Sequence, residues 1–96
     1  MRKLDSTDFW SLSDRWIFMD ISTFFIEASE ECIMDMDGQG QYLYIDKNCQ
    51  IYDSEEYIDF EELQKYFSDD MEGIDKLIKD KSNNEYTLFG VFWFNK

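Results

Sequence analysis

The stretch Glu85–Phe94 reads E-Y-T-L-F-G-V-F-W-F and constrains the fold more than any other. Extended, it places Tyr86, Leu88, Phe92 and Phe94 on one face and Thr87, Phe89, Val91 and Trp93 on the other. Successive side chains of a strand point to opposite faces, so this strand carries large apolar groups on both. Such a strand belongs inside a sheet whose two faces are covered. The remainder of the 96-residue chain must supply strands beside it and cover for it.

Arg15–Glu27, R-W-I-F-M-D-I-S-T-F-F-I-E, has a similar character. Ile17, Met19, Ile21, Thr23 and Phe25 alternate with Trp16, Phe18, Asp20, Ser22, Phe24 and Ile26, and both sets are largely apolar. β-Branched and aromatic residues dominate, which favours a long strand beside Glu85–Phe94. Asp20 is then a strand residue near an edge. Residues 30–53 suggest an antiparallel meander. Glu30–Met36 is a short strand with Cys32, Met34 and Met36 in phase. Asp37-Gly38-Gln39-Gly40 is a turn, because glycine supplies positive φ at no steric cost. Gln41–Asp46 and Cys49–Asp53 are strands joined by a tight turn at Lys47-Asn48.

Helices follow. Asp59 is an N-cap candidate with Glu62 three places on, the spacing of a capping box. Phe60, Leu63 and Phe67 form the inner stripe of that helix. Ser68 or Asp69 can cap a second helix with a stripe of Met71, Ile74, Leu77 and Ile78, ending at Ser82-Asn83-Asn84. Gly73 weakens that helix by about 1 kcal/mol relative to Ala and marks a place for a bend. The segment before residue 15 is ambiguous. There Ser6 or Thr7 can cap a short helix carrying Phe9, Trp10 and Leu12, either as a lid on the core or as an exposed anchor. The expected architecture is α+β: a single domain spanning residues 1–96, with an antiparallel sheet of about five strands and one or two helices on one face.

Charge bears on function. Twenty-two acids oppose nine bases, a net charge of −13. Direct binding of nucleic acid needs Lys and Arg against phosphates, so nucleic acid is not the expected partner. An anionic membrane surface is disfavoured for the same reason. Basic proteins and cations fit better. An aromatic content of 19% argues for a packed domain over disorder at this charge. The chain shows no export signal and no apolar run of transmembrane length. Cys32 and Cys49 therefore read as reduced thiols packed in the core of a cytoplasmic protein.

Histidine is absent, which removes Ser-His-Asp and Cys-His catalysis and His-ligated zinc. No P-loop or dinucleotide-binding glycine motif is present. Carboxylates are so abundant that none stands out as a catalytic pair. Neither an enzyme nor a cofactor or metal site is expected.

Asp35-Met-Asp37-Gly-Gln39-Gly40-Gln-Tyr-Leu-Tyr-Ile-Asp46 resembles the calcium loop of the EF-hand family at its first and third acids and its glycine. Ile58-Asp59-Phe60-Glu61-Glu62-Leu63 resembles the start of an exit helix, but the two pieces do not join in register. Gln39 and Asp46 stand where further ligand charge and a bidentate Glu are expected. A weak calcium-binding module is what the resemblance implies, set against an ordinary hairpin turn.

The acids are densest from Asp53 to Asp75, where ten of 23 residues are Asp or Glu and only Lys65 opposes them. Carboxylates one helical turn apart are about 5–6 Å from each other, and alternate strand residues about 6.6 Å. Rows of them approximate phosphate spacing. Glu55, Glu56, Asp59 and Glu62, continued by Asp69, Asp70 and Glu72, could line such a row, and Asp53 and Glu61 are partner-binding candidates beside it. Tyr52, Tyr57 and Tyr66 interleave, with Tyr57 as an anchor. In size and composition the chain is similar to immunity proteins that neutralise toxin nucleases, and to phage anti-restriction and anti-CRISPR proteins. The expected function is inhibition of a nucleic-acid-handling protein through its basic groove. The competing expectation is a structural or adaptor protein whose acids serve solubility.

Overall fold

A computed structural model describes residues 1–5, 17–31, 38–67 and 70–95. Within them run β1 (Arg2–Leu4), β2 (Ile17–Asp20), α1 (Ile21–Glu31), β3 (Gly38–Ile45), β4 (Ile51–Tyr57), α2 (Phe60–Gln64), α3 (Asp70–Lys81) and β5 (Thr87–Asn95). The strands form one antiparallel sheet in the order β1-β4-β3-β5-β2. The helices pack against it, giving a compact α+β domain.

As its two apolar faces require, β5 lies inside the sheet. It pairs with β3 from Gly38↔Asn95 to Ile45↔Thr87, and with β2 from Ile17↔Trp93 to Asp20↔Gly90. Its alternation is not continuous. The register between β3 and β5 shifts at Leu43/Tyr44, where the pairing passes from Leu43↔Gly90 to Tyr44↔Leu88. The extra residue in β5 reverses which face follows which. Leu88 therefore joins Val91 and Trp93 in the core beneath the helices, while Phe89 joins Phe92 on the opposite face. Unbroken alternation would have grouped Leu88 with Phe92.

The long strand expected at Arg15–Glu27 is not formed. Strand pairing stops at Asp20, and Ile21–Glu31 is helix α1. Asp20 supplies the reason. Its carboxylate accepts the Thr23 N–H at 2.8 Å and the Thr23 hydroxyl at 3.0 Å, satisfying donors that a helix start leaves open. These bonds, the Thr23 N–H first, hold its carboxyl below the ordinary range. Ile21, Phe24, Phe25 and Ala28 follow at i, i+3, i+4 and i+7, and all four are buried against the sheet. Packing of that face outweighs the β-propensity of the segment.

The expected strand at Glu30–Met36 is also corrected at its start, since Glu30 and Glu31 end α1. Its remainder, with Cys32, lies outside the described residues. Of the turn expected at residues 37–40, Asp37 lies outside the described residues and 38–40 are the start of β3, with none of the described glycines at positive φ. Gly40 is needed for close approach instead. A Cβ there would meet Trp93 Cε3 at 2.9 Å and Ile58 Cδ1 at 3.0 Å.

The β3–β4 hairpin forms, but its loop takes in Cys49 and Gln50, so the strand expected from Cys49 begins at Ile51. Cys49 N–H donates to the Asp46 carbonyl at 3.1 Å, and Cys49 itself takes a left-handed φ of 63°. This is a turn followed by a left-handed residue, a common three-residue hairpin loop. Cys49 is exposed on that loop and not packed in the core.

Phe24, Phe25, Leu63, Ile74 and Leu77 from the helices close over Tyr42, Leu88, Val91 and Trp93 of the sheet. A smaller cluster of Leu4, Leu43 and Phe92, with Ile51 and Phe89, lies on the other face. α3 runs unbroken through Gly73 because this glycine faces a neighbour. A Cβ there would overlap the Tyr66 carbonyl oxygen and touch Phe25 Cζ at 3.0 Å. Among the described residues, no helix is long and apolar enough to cross a membrane.

Candidate functional site

The acid-rich segment begins with an irregularity. β4 continues past Asp53 to Tyr57, but its pairing with β3 jumps from Leu43↔Asp53 to Gln41↔Tyr57. Two residues of β3 are thus spanned by four of β4, and the surplus bulges outward. Glu55 sits at φ 65°, a conformation that costs an L-residue about 1–2 kcal/mol. Glu55 N–H donates to Asp53 Oδ1 at 2.9 Å. Ser54 closes the rest, its Oγ 3.2 Å from the Glu56 carbonyl and 3.3 Å from the Glu56 N–H.

Asp53 is consequently not a surface group. It is only 6% exposed. With its amide oriented to donate, Gln41 places Nε2 at 2.8 Å and 3.0 Å from the two Asp53 carboxylate oxygens. A buried carboxylate needs such partners. Asp53 therefore belongs to the scaffold of the bulge, in place of the partner-binding role expected for it.

Beyond the bulge the chain turns into α2. Tyr57 is 59% exposed. Ile58 turns inward into the core, and its N–H donates to the Gly40 carbonyl at 2.8 Å. Asp59 caps α2 as its sequence position suggested, accepting from Glu61 N–H at 3.1 Å and Glu62 N–H at 3.4 Å. Phe60 and Phe67 pack half-buried beside buried Leu63. Glu55, Glu56, Asp59 and Glu61 are exposed with Tyr57, within seven consecutive residues.

Glu62 is committed elsewhere. Its carboxylate pairs with Lys81 Nζ at 2.6 Å, and the same ammonium lies 5.8 Å from the Tyr42 ring centroid. The carboxylates leave a signature on nearby phenols. Burial chiefly, with the Glu62 charge second, pushes Tyr42 well above its ordinary value. Tyr44 is raised by burial, then by Glu56 and Glu62.

The hydroxyls of Tyr52 and Tyr66 bond to acids outside the 53–75 stretch. Tyr52 donates to Asp46 Oδ2 at 3.1 Å and meets Tyr86 edge-on with ring centroids 5.0 Å apart. Tyr66 donates to Asp80 Oδ2 at 2.7 Å, a bond that with burial pushes its phenol up to about 12. Asp70 opens α3, Glu72 is exposed on it, and Asp69 lies outside the described residues. Ser6, Thr7, Phe9, Trp10 and Leu12 lie outside them as well.

The segment resembling a calcium loop has a different conformation. Gly38–Ile45 is strand β3, and Asp35 and Asp37 are outside the described residues. The Asp46 carboxylate serves its own hairpin, accepting from Asn48 N–H at 2.8 Å, Gln50 N–H at 3.0 Å and the Tyr52 hydroxyl. Among the described residues, no group of three or more His, Cys, Asp or Glu is placed to hold a metal ion. Beside this hairpin lies an open cleft of about 240 Å³ between Asp46, Lys47, Asn48, Glu85 and Tyr86. It sits at the end of β4 remote from the bulge.

Chemically, the 55–61 surface offers anionic acceptors and one exposed phenol. It suits Lys and Arg side chains, which carry the matching donors. No protein-family model, no curated protein and no solved structure matches the chain.

Proposed function

We propose that this chain is a small acidic inhibitor that binds a nucleic-acid-handling protein in its basic groove. One observation carries the proposal: Glu55, Glu56, Asp59 and Glu61 stand exposed beside Tyr57, on a bulge and a capped helix start. Both devices fix the backbone that presents the charges, which lowers the ordering cost of binding. The charge of −13 would steer a cationic partner toward the molecule over a long range. A toxin nuclease and a defence nuclease both have the required chemistry.

The test is capture of the partner from a host lysate, followed by competition with DNA and RNA and by a charge-reversed variant. Glu55→Lys, Glu56→Lys and Glu61→Lys are the appropriate changes, because Glu62 is engaged by Lys81 and Asp59 caps α2. The triple variant should fold and lose the partner, since like charges across an interface cost several kcal/mol. Nucleic acid should displace the wild-type chain. A partner that binds the triple variant equally well, indifferent to nucleic acid and to salt, would leave the acids as a solubility device on an adaptor protein.

A further inference from the structure

β4 holds two registers at once. From Asp53 to Ile51 it pairs in step with the hairpin turn, while at Tyr57 it is offset by two residues. Continuing the turn register would set Glu55 opposite Gln41 and draw Ile58 away from its bond to the Gly40 carbonyl. Continuing the Tyr57 register would set Glu55 opposite Leu43 and lengthen the hairpin loop by two residues. Either ladder would be free of the bulge. An offset of one residue is forbidden by side-chain alternation, but an offset of two leaves every side chain on its own face. Face alternation therefore does not choose among the three arrangements.

Asp53 lies at the junction. It is the last residue of the turn register, and Gln41 is the β3 residue paired in the other. The Gln41 amide reaches both Asp53 oxygens, and the Glu55 N–H takes one of them. The buried Asp53 carboxylate and the half-buried Gln41 amide thus tie the two registers together across the bulge. In either bulge-free ladder the pair would be pulled apart or left without the Glu55 bond. Fixing register is the best-attested use of a buried polar group.

We propose that the Gln41–Asp53 pair is a latch that holds β4 in its bulged register. The latch is independent of what the acid surface binds. NMR of the full chain tests it through cross-strand contacts of β3 with β4. The wild-type chain should show one set of resonances, with contacts Gln41–Tyr57 and Leu43–Asp53, and a Gln41 side-chain amide protected from exchange. Gln41→Met removes the donor and leaves Asp53 its bond to Glu55. It should populate a second register, on the order of a tenth of molecules, seen as new contacts of Glu55 with Leu43 or with position 41. Asp53→Asn keeps an acceptor and should retain the native set alone.

A folded Gln41→Met chain with native contacts only overturns the proposal. Should that variant fail to fold, Gln41→Leu with Asp53→Leu replaces both polar groups by apolar ones and decides by the same contacts. A wild-type Gln41 amide exchanging as fast as an exposed glutamine overturns it without any variant.

Discussion

Cys49 and Glu55 are the two described non-glycine residues with positive φ, at 63° and 65°. At Cys49 the strain serves the hairpin turn, so glycine should relieve it. The left-handed conformation costs an L-residue about 1–2 kcal/mol, and the extra unfolded freedom of glycine returns about 0.5–1 kcal/mol. Cys49→Gly should therefore stabilise the chain by up to about 1 kcal/mol, read as a higher urea midpoint at unchanged slope. An unchanged or lower midpoint would place the residue outside the left-handed region. Gly73 gives the opposite sign. Helix propensity alone credits Gly73→Ala with about 1 kcal/mol of stabilisation. The Tyr66 carbonyl occupies the space that the methyl needs, so the variant should lose about 1–3 kcal/mol by overpacking. A gain in stability would show that α3 stands farther from Tyr66.

At the scale of elements, α1 is the segment where propensity and packing disagree. Its two descriptions separate at adjacent residues. In a strand, Phe24 and Ile26 share one face and Phe25 lies on the other. In the helix, Phe24 and Phe25 are both buried, while Ile26 is 44% exposed. Phe24→Ala and Phe25→Ala should each cost about 3–5 kcal/mol. Ile26→Ala should stay within about 0.5 kcal/mol. Denaturant unfolding of the three variants checks this, and equal losses at Phe24 and Ile26 with none at Phe25 would restore the strand. The Asp20 cap had a visible signal in the spacing of Ile21, Phe24, Phe25 and Ala28. The β-branched and aromatic content of the segment obscured it.

At the scale of the molecule, a charge of −13 opposes compaction at neutral pH. Salt should relieve that repulsion, because the Debye length shrinks from about 10 Å at 0.1 M to about 3 Å at 1 M. The melting temperature should therefore rise with sodium chloride, by roughly 4–8 °C for each kcal/mol of repulsion removed from a domain of this size. Thermal scans followed by circular dichroism measure it. A melting temperature that falls with salt would mean that pairs such as Glu62–Lys81 outweigh the repulsion. The same salt series should slow association with a basic partner, so one variable moves stability and binding in opposite directions.

The sequence by itself determined the features whose causes are local or purely compositional. An apolar run on both faces had to lie inside a sheet. Asp59 followed by Phe60 and Leu63 had to begin a helix with an inward face. A turn at Lys47-Asn48 was legible from the polar pair between two strand patterns, although not its extension through Cys49. Tertiary structure decided whatever depended on residues distant in sequence. The glycines of β3 resemble a turn until Trp93 is laid over Gly40. Gly73 resembles a weak point until the Tyr66 backbone fills its side-chain space. The face of Leu88 depends on a bulge opposite β3. Asp53 resembles its acidic neighbours until Gln41, twelve residues earlier, reaches its carboxylate. Local spacing records how a segment can bury itself, and only the packed neighbours record which space and which hydrogen-bond partners are left for it.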